Sequence, residues 1–360
     1  MKAVVFAGGV GTRLWPLSRK KSPKQFEKVV GDQSTLQLAV ARLFPDFSWN
    51  DIYVATTKEY VSLVQKQLPE LAGDHIIAEP AMRDVGPAVG LATSILAKEN
   101  PDEPFVILWS DHLVKNQELF RSIIQIARTK IAKDKNKIVF IGQKPRFASQ
   151  NLGWIEFGKI IQKHKDIRLH EFRRFKYRPS LSEANDFFKS KQFAWNLGYF
   201  VTTPSFLLSQ YKKFAPDTAT KLKTIQNAWA TASFEHVLER IYPTIEKMHF
   251  DTCILENLDP SSAYVIAEDI KWSDVGAWEA LKEALQKNSE ENVIKGKVMV
   301  IDSSDSLIYN FTDQTVIGID VSELMIINTE DVVLICHKNA VPKIKQLVES
   351  FVGTEHEHLI

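Results

Sequence analysis

Cysteine is almost missing from this chain of 360 residues: there are two, Cys253 and Cys336, each inside an apolar run. A disulfide framework and a cysteine-rich zinc site are thereby excluded, and both residues read as core positions. No apolar stretch approaches the roughly 18 residues of a membrane span. The N-terminus enters a strand directly and no signal peptide precedes it, so the expectation is a cytoplasmic protein without a membrane partner. Charge of one sign is also lacking, since the net charge is +1. That gives no reason to expect a nucleic acid partner, and any basic character that matters is local. Glycines cluster near the start, yet no Gly-Lys-Ser/Thr follows them, which excludes a Walker A loop. No G-x-G-x-x-G runs into a helix there either, which excludes the dinucleotide fingerprint.

What is present is an ordinary globular composition, 44% hydrophobic and 25% charged, over a length that suits one large α/β domain and a smaller one. Short apolar runs at 3–6, 52–55, 75–78, 105–108 and 138–141 read as strands. Amphipathic stretches at 36–43, 60–68, 87–97 and 119–132 read as the helices between them. Strand and helix alternating in this way argue for a mostly parallel sheet with helices on both faces. Ligands of such sheets sit at the carboxyl ends of strands. Further on, 169–177 reads as a half-exposed strand, 182–189 as a helix capped by Ser180 or Ser182, and 214–232 and 277–286 as helices. The segment 130–137 reads as a charged, solvated loop. After residue 288 come short β runs at 297–301, 306–309, 315–319, 324–328 and 332–337, then an amphipathic helix at 341–351. The expected division is therefore 1–287 for a catalytic α/β domain and 288–360 for a small β-rich unit with a terminal helix. The histidines of the Glu355-His356-Glu357-His358 tail read as solvated.

The first strand runs into Ala7-Gly8-Gly9-Val10-Gly11-Thr12-Arg13-Leu14-Trp15-Pro16-Leu17-Ser18-Arg19, and Pro23-Lys24-Gln25-Phe26 follows. Three glycines in four positions let backbone amides approach a ligand, and Arg13 and Lys24 flank them. Amides, a guanidinium fork and an ammonium point charge make a seat for a polyphosphate. Asp111, in Trp109-Ser110-Asp111-His112, ends a predicted strand. It reads either as a ligand holding a divalent cation against phosphate or as a helix cap. Asp274, in Trp272-Ser273-Asp274-Val275-Gly276-Ala277-Trp278, carries the same two readings. Two carboxylates from distant segments are what Mg²⁺ usually takes from a protein, with phosphate and water completing its shell.

The glycine run through Arg19, with Pro23-Lys24-Gln25, resembles the signature of the sugar-phosphate nucleotidylyltransferases. Trp15 and Lys24-Gln25-Phe26 are similar to the mannose-1-phosphate guanylyltransferase branch. The resemblance extends from Met1 to about Gly353 and implies a Rossmann-like sheet followed by a β-helix-like C-terminal unit. It implies Arg13, Lys24, Asp111 and Asp274 as catalytic residues, the two aspartates holding Mg²⁺. Gly8, Gly9, Gly11, Thr12 and Arg13 are implied as nucleotide ligands. So are Glu79 and Arg83, because Glu79-Pro80-Ala81-Met82-Arg83-Asp84 resembles the guanosine-pocket segment. A carboxylate there accepts the paired N–H donors that guanine offers. Gly153-Trp154-Ile155-Glu156 and Trp195-Asn196-Leu197-Gly198 are similar to the sugar segments, which implies Gly153, Glu156 and Asn196 as sugar ligands. Asp251 and Glu256 match a further segment, in a structural or a sugar-binding role. At Phe175-Lys176-Tyr177-Arg178-Pro179 the family has Glu-Lys where this chain has Tyr177-Arg178. Arg178 keeps the cation for the sugar phosphate and Tyr177 loses the carboxylate.

The implied substrates are GTP and mannose 1-phosphate. Two other readings remain: a non-catalytic relative that binds sugar nucleotide, and a nucleotidylyltransferase for another sugar 1-phosphate. A glycosyltransferase would bring an Asp-x-Asp metal motif, which is absent from the predicted sheet rim. The sugar-isomerase domain of some relatives is not expected in a chain of this length. A homodimer is left open.

Overall fold

Apolar runs buried on both sides build the first of two compact units in the computed structural model, which describes residues 1–9 and 11–360. This unit comprises residues 1–8, 40–109 and 114–272. Its sheet has nine strands: β1 Lys2–Phe6, β2 Ile52–Thr57, β3 Ile76–Glu79, β4 Phe105–Trp109, β5 Ile138–Gln143, β6 Gly153–His164, β7 Ile167–Lys176, β8 Phe193–Thr202 and β9 Ala263–Glu268. Their spatial order is β3-β2-β1-β4-β8-β5-β9-β7-β6. Strands β3, β2, β1 and β4 pair in parallel, as do β5 and β9, while β8 runs antiparallel to β4 and β5. The sheet is thus mostly parallel, and β1, β3 and β4 end on one rim. From that rim the chain continues into the glycine run, into Pro80 and into Ser110-Asp111.

Side-chain alternation along β8 shows both faces covered. Tyr199 meets Phe120 of helix Gln117–Lys133 with ring centroids 5.8 Å apart, and its neighbour Phe200 stacks on Phe250 from the other side at 5.6 Å. Helix Val85–Glu99 is buried from Gly86 to Ala97, so it is apolar all round rather than striped. Asn116 caps helix Gln117–Lys133 by accepting the Leu119 N–H, and Ser180 forms a capping box with Glu183 in front of helix Leu181–Ser190.

Several elements differ from expectation. Strands β6, β8 and β9 join the five strands read from short apolar runs. The helix expected over 214–232 runs over Pro216–Ala228, opened by Pro216, which lacks an N–H, and a separate helix, Pro204–Phe214, precedes it. Helix Gln117–Lys133 extends a few residues into the charged segment 130–137, whose remainder beyond Asp134 is loop.

The second unit comprises residues 9–39, 110–113 and 273–360. Its C-terminal part is a β-rich coil of short strands: β10 Val293–Lys295, β11 Val298–Ile301, β12 Leu307–Asn310, β13 Val316–Ile319, β14 Leu324–Asn328 and β15 Val333–His337. Strands β10, β12 and β14 stack in parallel, β11 stacks on β13, and β15 closes antiparallel on β14. From β11 to β13 and from β12 to β14 equivalent positions recur 18 residues apart, and the Asn328 amide donates to Asn310 Oδ1 at 3.0 Å across one repeat. This coil shares its core with the start of the chain: Leu14, Trp15 and Val29 are buried with Trp278, Leu281, Tyr309, Ile327, Ile344 and Val348. Among the described residues no helix is long and apolar enough to cross a membrane, and both cysteines are free.

Candidate functional site

In the second unit the glycine run forms a turn whose apolar side is anchored and whose polar side carries the cations. Leu14 and Trp15 are buried, and each Leu-sized side chain so buried contributes about 1.5–3 kcal/mol. The Trp278 indole donates to the Trp15 carbonyl at 2.9 Å and the Trp15 indole to the Leu359 carbonyl at 2.8 Å. Arg19 forks onto both carboxylate oxygens of Asp331 at 2.7 and 2.6 Å, and the Tyr309 hydroxyl donates to the Val29 carbonyl at 3.1 Å. On the other side, Gly9 faces open space. Gly11 has φ +68°, and a Cβ on it would lie 2.5 Å from Lys24 Cγ, so the lysine stem rests directly on its Cα. The Lys24 ammonium meets Asp111 Oδ2 at 2.6 Å, and His112 Nε2 lies 3.8 Å from Oδ1. Burial alone would raise the Asp111 carboxyl; the Lys24 and His112 charges outweigh it and hold the group at about 2.

Arg13, two residues beyond Gly11, is exposed and makes no ion pair within 4 Å among the described residues. Gly276 leaves room for it beside Asp274: a Cβ there would lie 3.2 Å from Arg13 Nη2 and 3.5 Å from Asp274 Oδ2. Glu279 adjoins this pair and was not read from the sequence. Burial raises its carboxyl, Arg13 lowers it and Asp274 raises it, and Oε2 is buried without a hydrogen-bond partner. Its only sequence signal is an acid in the first turn of helix Trp278–Leu285, which any N-terminal glutamate gives. The four expected catalytic residues therefore fall in one unit as two clusters, Gly11-Lys24-Asp111 and Arg13-Asp274-Gly276. Val10 lies outside the described residues, as does the Thr12 side chain.

Among the described residues no three His, Cys, Asp or Glu groups gather as a metal cage. Asp111 and Asp274 are hard oxygen donors, and two carboxylates suit a magnesium ion that keeps phosphate and water as its remaining ligands. The donor chemistry of these two carboxylates fits that ion better than zinc, whose sites usually draw on nitrogen or sulfur as well.

The first unit carries the other expected residues. Glu79 ends β3 with Oε2 accepting the Tyr242 hydroxyl, and Gly8 leaves its other oxygen clear, since a Cβ there would still be 4.0 Å away. Burial pushes the Glu79 carboxyl up to about 7, against the lowering effect of the Tyr242 bond. Arg83 Nε is buried without a hydrogen-bond partner. Asp84, at φ 73°, caps helix Val85–Glu99 and faces His249 Nδ1 at 3.3 Å. Tyr242 escaped the sequence reading because it is 163 residues from Glu79 and marks no motif.

Gly153 and Asn196 are register partners on β6 and β8, and a Cβ on Gly153 would lie 3.2 Å from Asn196 Cβ. The Asn196 amide donates to Asp251 Oδ1 at 3.0 Å and its Oδ1 accepts the Gly198 N–H at 3.0 Å. Burial pushes Asp251 up to about 6. Arg178 is exposed, has φ 43° and sits 5.1 Å from the Tyr177 ring, while the Tyr177 N–H donates to Glu256 at 2.8 Å. Glu156 is not brought to this group. Its register neighbours Trp154 and Phe193 form an aromatic cluster on the opposite face from Asn196, and Arg174 on that face binds its carboxylate at 2.5 Å. The strand period of two separates the two expected sugar ligands.

Comparison with known proteins follows the same lines. The family model described as nucleotidyl transferase matches residues 2–291, and the one described as a MannoseP isomerase/GMP-like beta-helix domain matches residues 296–351. A mannose-1-phosphate guanylyltransferase 2 of Escherichia coli O157:H7 is 31% identical, over 96% of this chain and 72% of that relative. A mannose-1-phosphate guanylyltransferase of Escherichia coli strain K12 is 30% identical, over 99% and 75%. A solved structure from Thermus thermophilus, described as a mannose-1-phosphate geranyltransferase, has a TM-score of 0.85 at 25% identity, covering 98% of this chain and 99% of that one.

Proposed function

Because the chain belongs to the nucleotidyl transferase family, in its mannose-1-phosphate guanylyltransferase branch, we propose that it transfers a guanylyl group from GTP to mannose 1-phosphate, releasing pyrophosphate. The observation that supports this most is the pair of cations on the glycine turn. Arg13 is exposed without an ion pair among the described residues and lies by Gly276 and Asp274, while Lys24 is seated on Gly11 and paired with Asp111. The sugar phosphate oxygen is already an anion and attacks the α-phosphorus in line, so no protein nucleophile is needed. Catalysis reduces to alignment and to neutralising charge. Arg13 forks onto the leaving pyrophosphate, and Lys24 offsets the charge that builds on the α-phosphate. Mg²⁺ bound to Asp111 and Asp274 supplies further neutralisation of the phosphate oxygens.

In the first unit, ionised Glu79 accepts the N1–H and exocyclic amine of guanine, held in orientation by Tyr242. Adenine does not present those two donors together. Asn196 and Asp251 face the hexose hydroxyls, and Arg178 takes the acceptor phosphate. A misplaced hydroxyl would leave Asp251 and Asn196 unpaired, which is how such a pocket rejects an epimer.

The test is a panel of nucleoside triphosphates against sugar 1-phosphates, read by pyrophosphate release. GTP with mannose 1-phosphate is expected to lead, and Lys24→Ala and Asp111→Asn to cut turnover by about 100-fold or more with the fold intact. Near-normal release from either variant counts against the assignment. The Arg178 guanidinium against the Tyr177 ring favours one second reading, a sugar-nucleotide binder. Calorimetry with tight GDP-mannose binding and no pyrophosphate release would select it.

A further inference from the structure

Two cations serve the glycine turn, and they stand in different electrostatic situations. Arg13 has no ion pair among the described residues. Lys24 is already committed: its ammonium sits 2.6 Å from Asp111 Oδ2, with 11% of the lysine side chain and 29% of the aspartate exposed. Its stem is pinned where a Cβ on Gly11 would come within 2.5 Å of Cγ and 2.6 Å of Cδ, so the amine is delivered to that one oxygen. The other oxygen, Oδ1, faces His112 Nε2 at 3.8 Å.

A hard divalent cation takes carboxylate oxygen at about 2.0–2.1 Å. An ammonium on the same oxygen would then stand within a few ångströms of a double positive charge, in a partly buried place where screening is weak. Sharing Oδ2 would set the two positive charges against each other, so metal binding there disfavours the ammonium. We propose that Lys24 is the counter-ion that a divalent cation must displace from Asp111, so that metal entry frees the amine for the nucleotide. This rests on the reading of Asp111 as a metal ligand. Lysine suits such exchange: a point charge on a four-carbon stem swings away by rotamer change, where a guanidinium fork would hold both oxygens. The arrangement makes one of the two phosphate-binding cations conditional on metal, while Arg13 stays available throughout.

The experiment uses the full chain and Mn²⁺ alone, without nucleotide, with free Mn²⁺ followed by electron paramagnetic resonance. Lys24→Met is expected to bind Mn²⁺ about tenfold more tightly than the unaltered protein, and Lys24→Arg to bind it more weakly. Asp111→Asn is expected to bind more weakly. A second reading needs no substitution: acetylation of Lys24 by an N-hydroxysuccinimide ester, quantified by peptide mass spectrometry, should accelerate when Mn²⁺ is added. If Asp111→Asn weakens binding while Lys24→Met fails to tighten it, or if Mn²⁺ leaves the acetylation rate unchanged, the displacement is wrong and the metal role of Asp111 stands. If Asp111→Asn binds Mn²⁺ as well as the unaltered protein, the metal role fails and the displacement with it.

Discussion

Glu79 is a buried carboxyl whose state changes near neutral pH. Burial holds its carboxyl at about 7, against an ordinary 4.5. The charged form is the one that accepts two guanine donors, so GTP affinity should rise between pH 6 and 8. In Glu79→Gln that rise should flatten, as titration calorimetry at several pH values would show. The stability effect has a definite sign. A carboxyl raised on folding contributes stability below pH 4.5 that is lost as pH climbs through about 7. Glu79→Gln should therefore be more stable than the parent at pH 8, by on the order of 1–3 kcal/mol, and not at pH 4.5. Gly11 gives a second prediction. Alanine there meets Lys24 Cγ at 2.5 Å on a left-handed backbone, so Gly11→Ala should displace the lysine and lower turnover at least about tenfold while the chain stays folded. The glycines, Arg13, Lys24 and Asp111 were legible because their residue types and spacing carry the chemistry locally. The partnership of Glu79 with Tyr242 was not, since only the folded chain brings them together. The separation of Glu156 from Asn196 was hidden for the same reason: which face each takes depends on strand register.

At the scale of elements, most strands read correctly from sequence are short and uniformly apolar, while β7 was read from its alternation. Of those missed, β8 and β6 show neither signal. Strand β8, Phe-Ala-Trp-Asn-Leu-Gly-Tyr-Phe-Val-Thr, is buried along nearly its whole length, so it shows no alternation, and its Trp195–Gly198 part was read only as a sugar segment. Strand β6 begins buried and ends exposed, with register shifts after Glu156, which erases a regular period. The glycine inside β8 is a structural requirement. Gly198 has φ +70°, and a Cβ on it would fall 2.1 Å from the Trp109 indole nitrogen, which donates to the Gly198 carbonyl at 3.2 Å. Gly198→Ala should cost about 2–4 kcal/mol in urea denaturation and weaken mannose 1-phosphate binding, because Asn196 is oriented by the Gly198 N–H.

For the molecule as a whole, the sequence indicated a small β-rich C-terminal unit, and its strands fall close to the expected runs. Its attachment to the first forty residues was not visible, because Trp15 and Trp278 look like two unrelated core aromatics until packed. Asp331→Ala, which releases Arg19, should speed amide exchange over residues 11–27 and leave exchange in β1–β4 unchanged, by hydrogen–deuterium mass spectrometry. A variant truncated after residue 350 should show the same loosening more strongly, together with lower turnover, since it lacks Phe351 and the Leu359 carbonyl that hold Trp15. The same bond sets a schedule for biosynthesis. The glycine turn leaves the ribosome well before its anchor, which lies 344 residues downstream. A nascent chain must carry its glycine turn unfinished through all of that synthesis, and acquires a competent turn only once the distant partner has emerged.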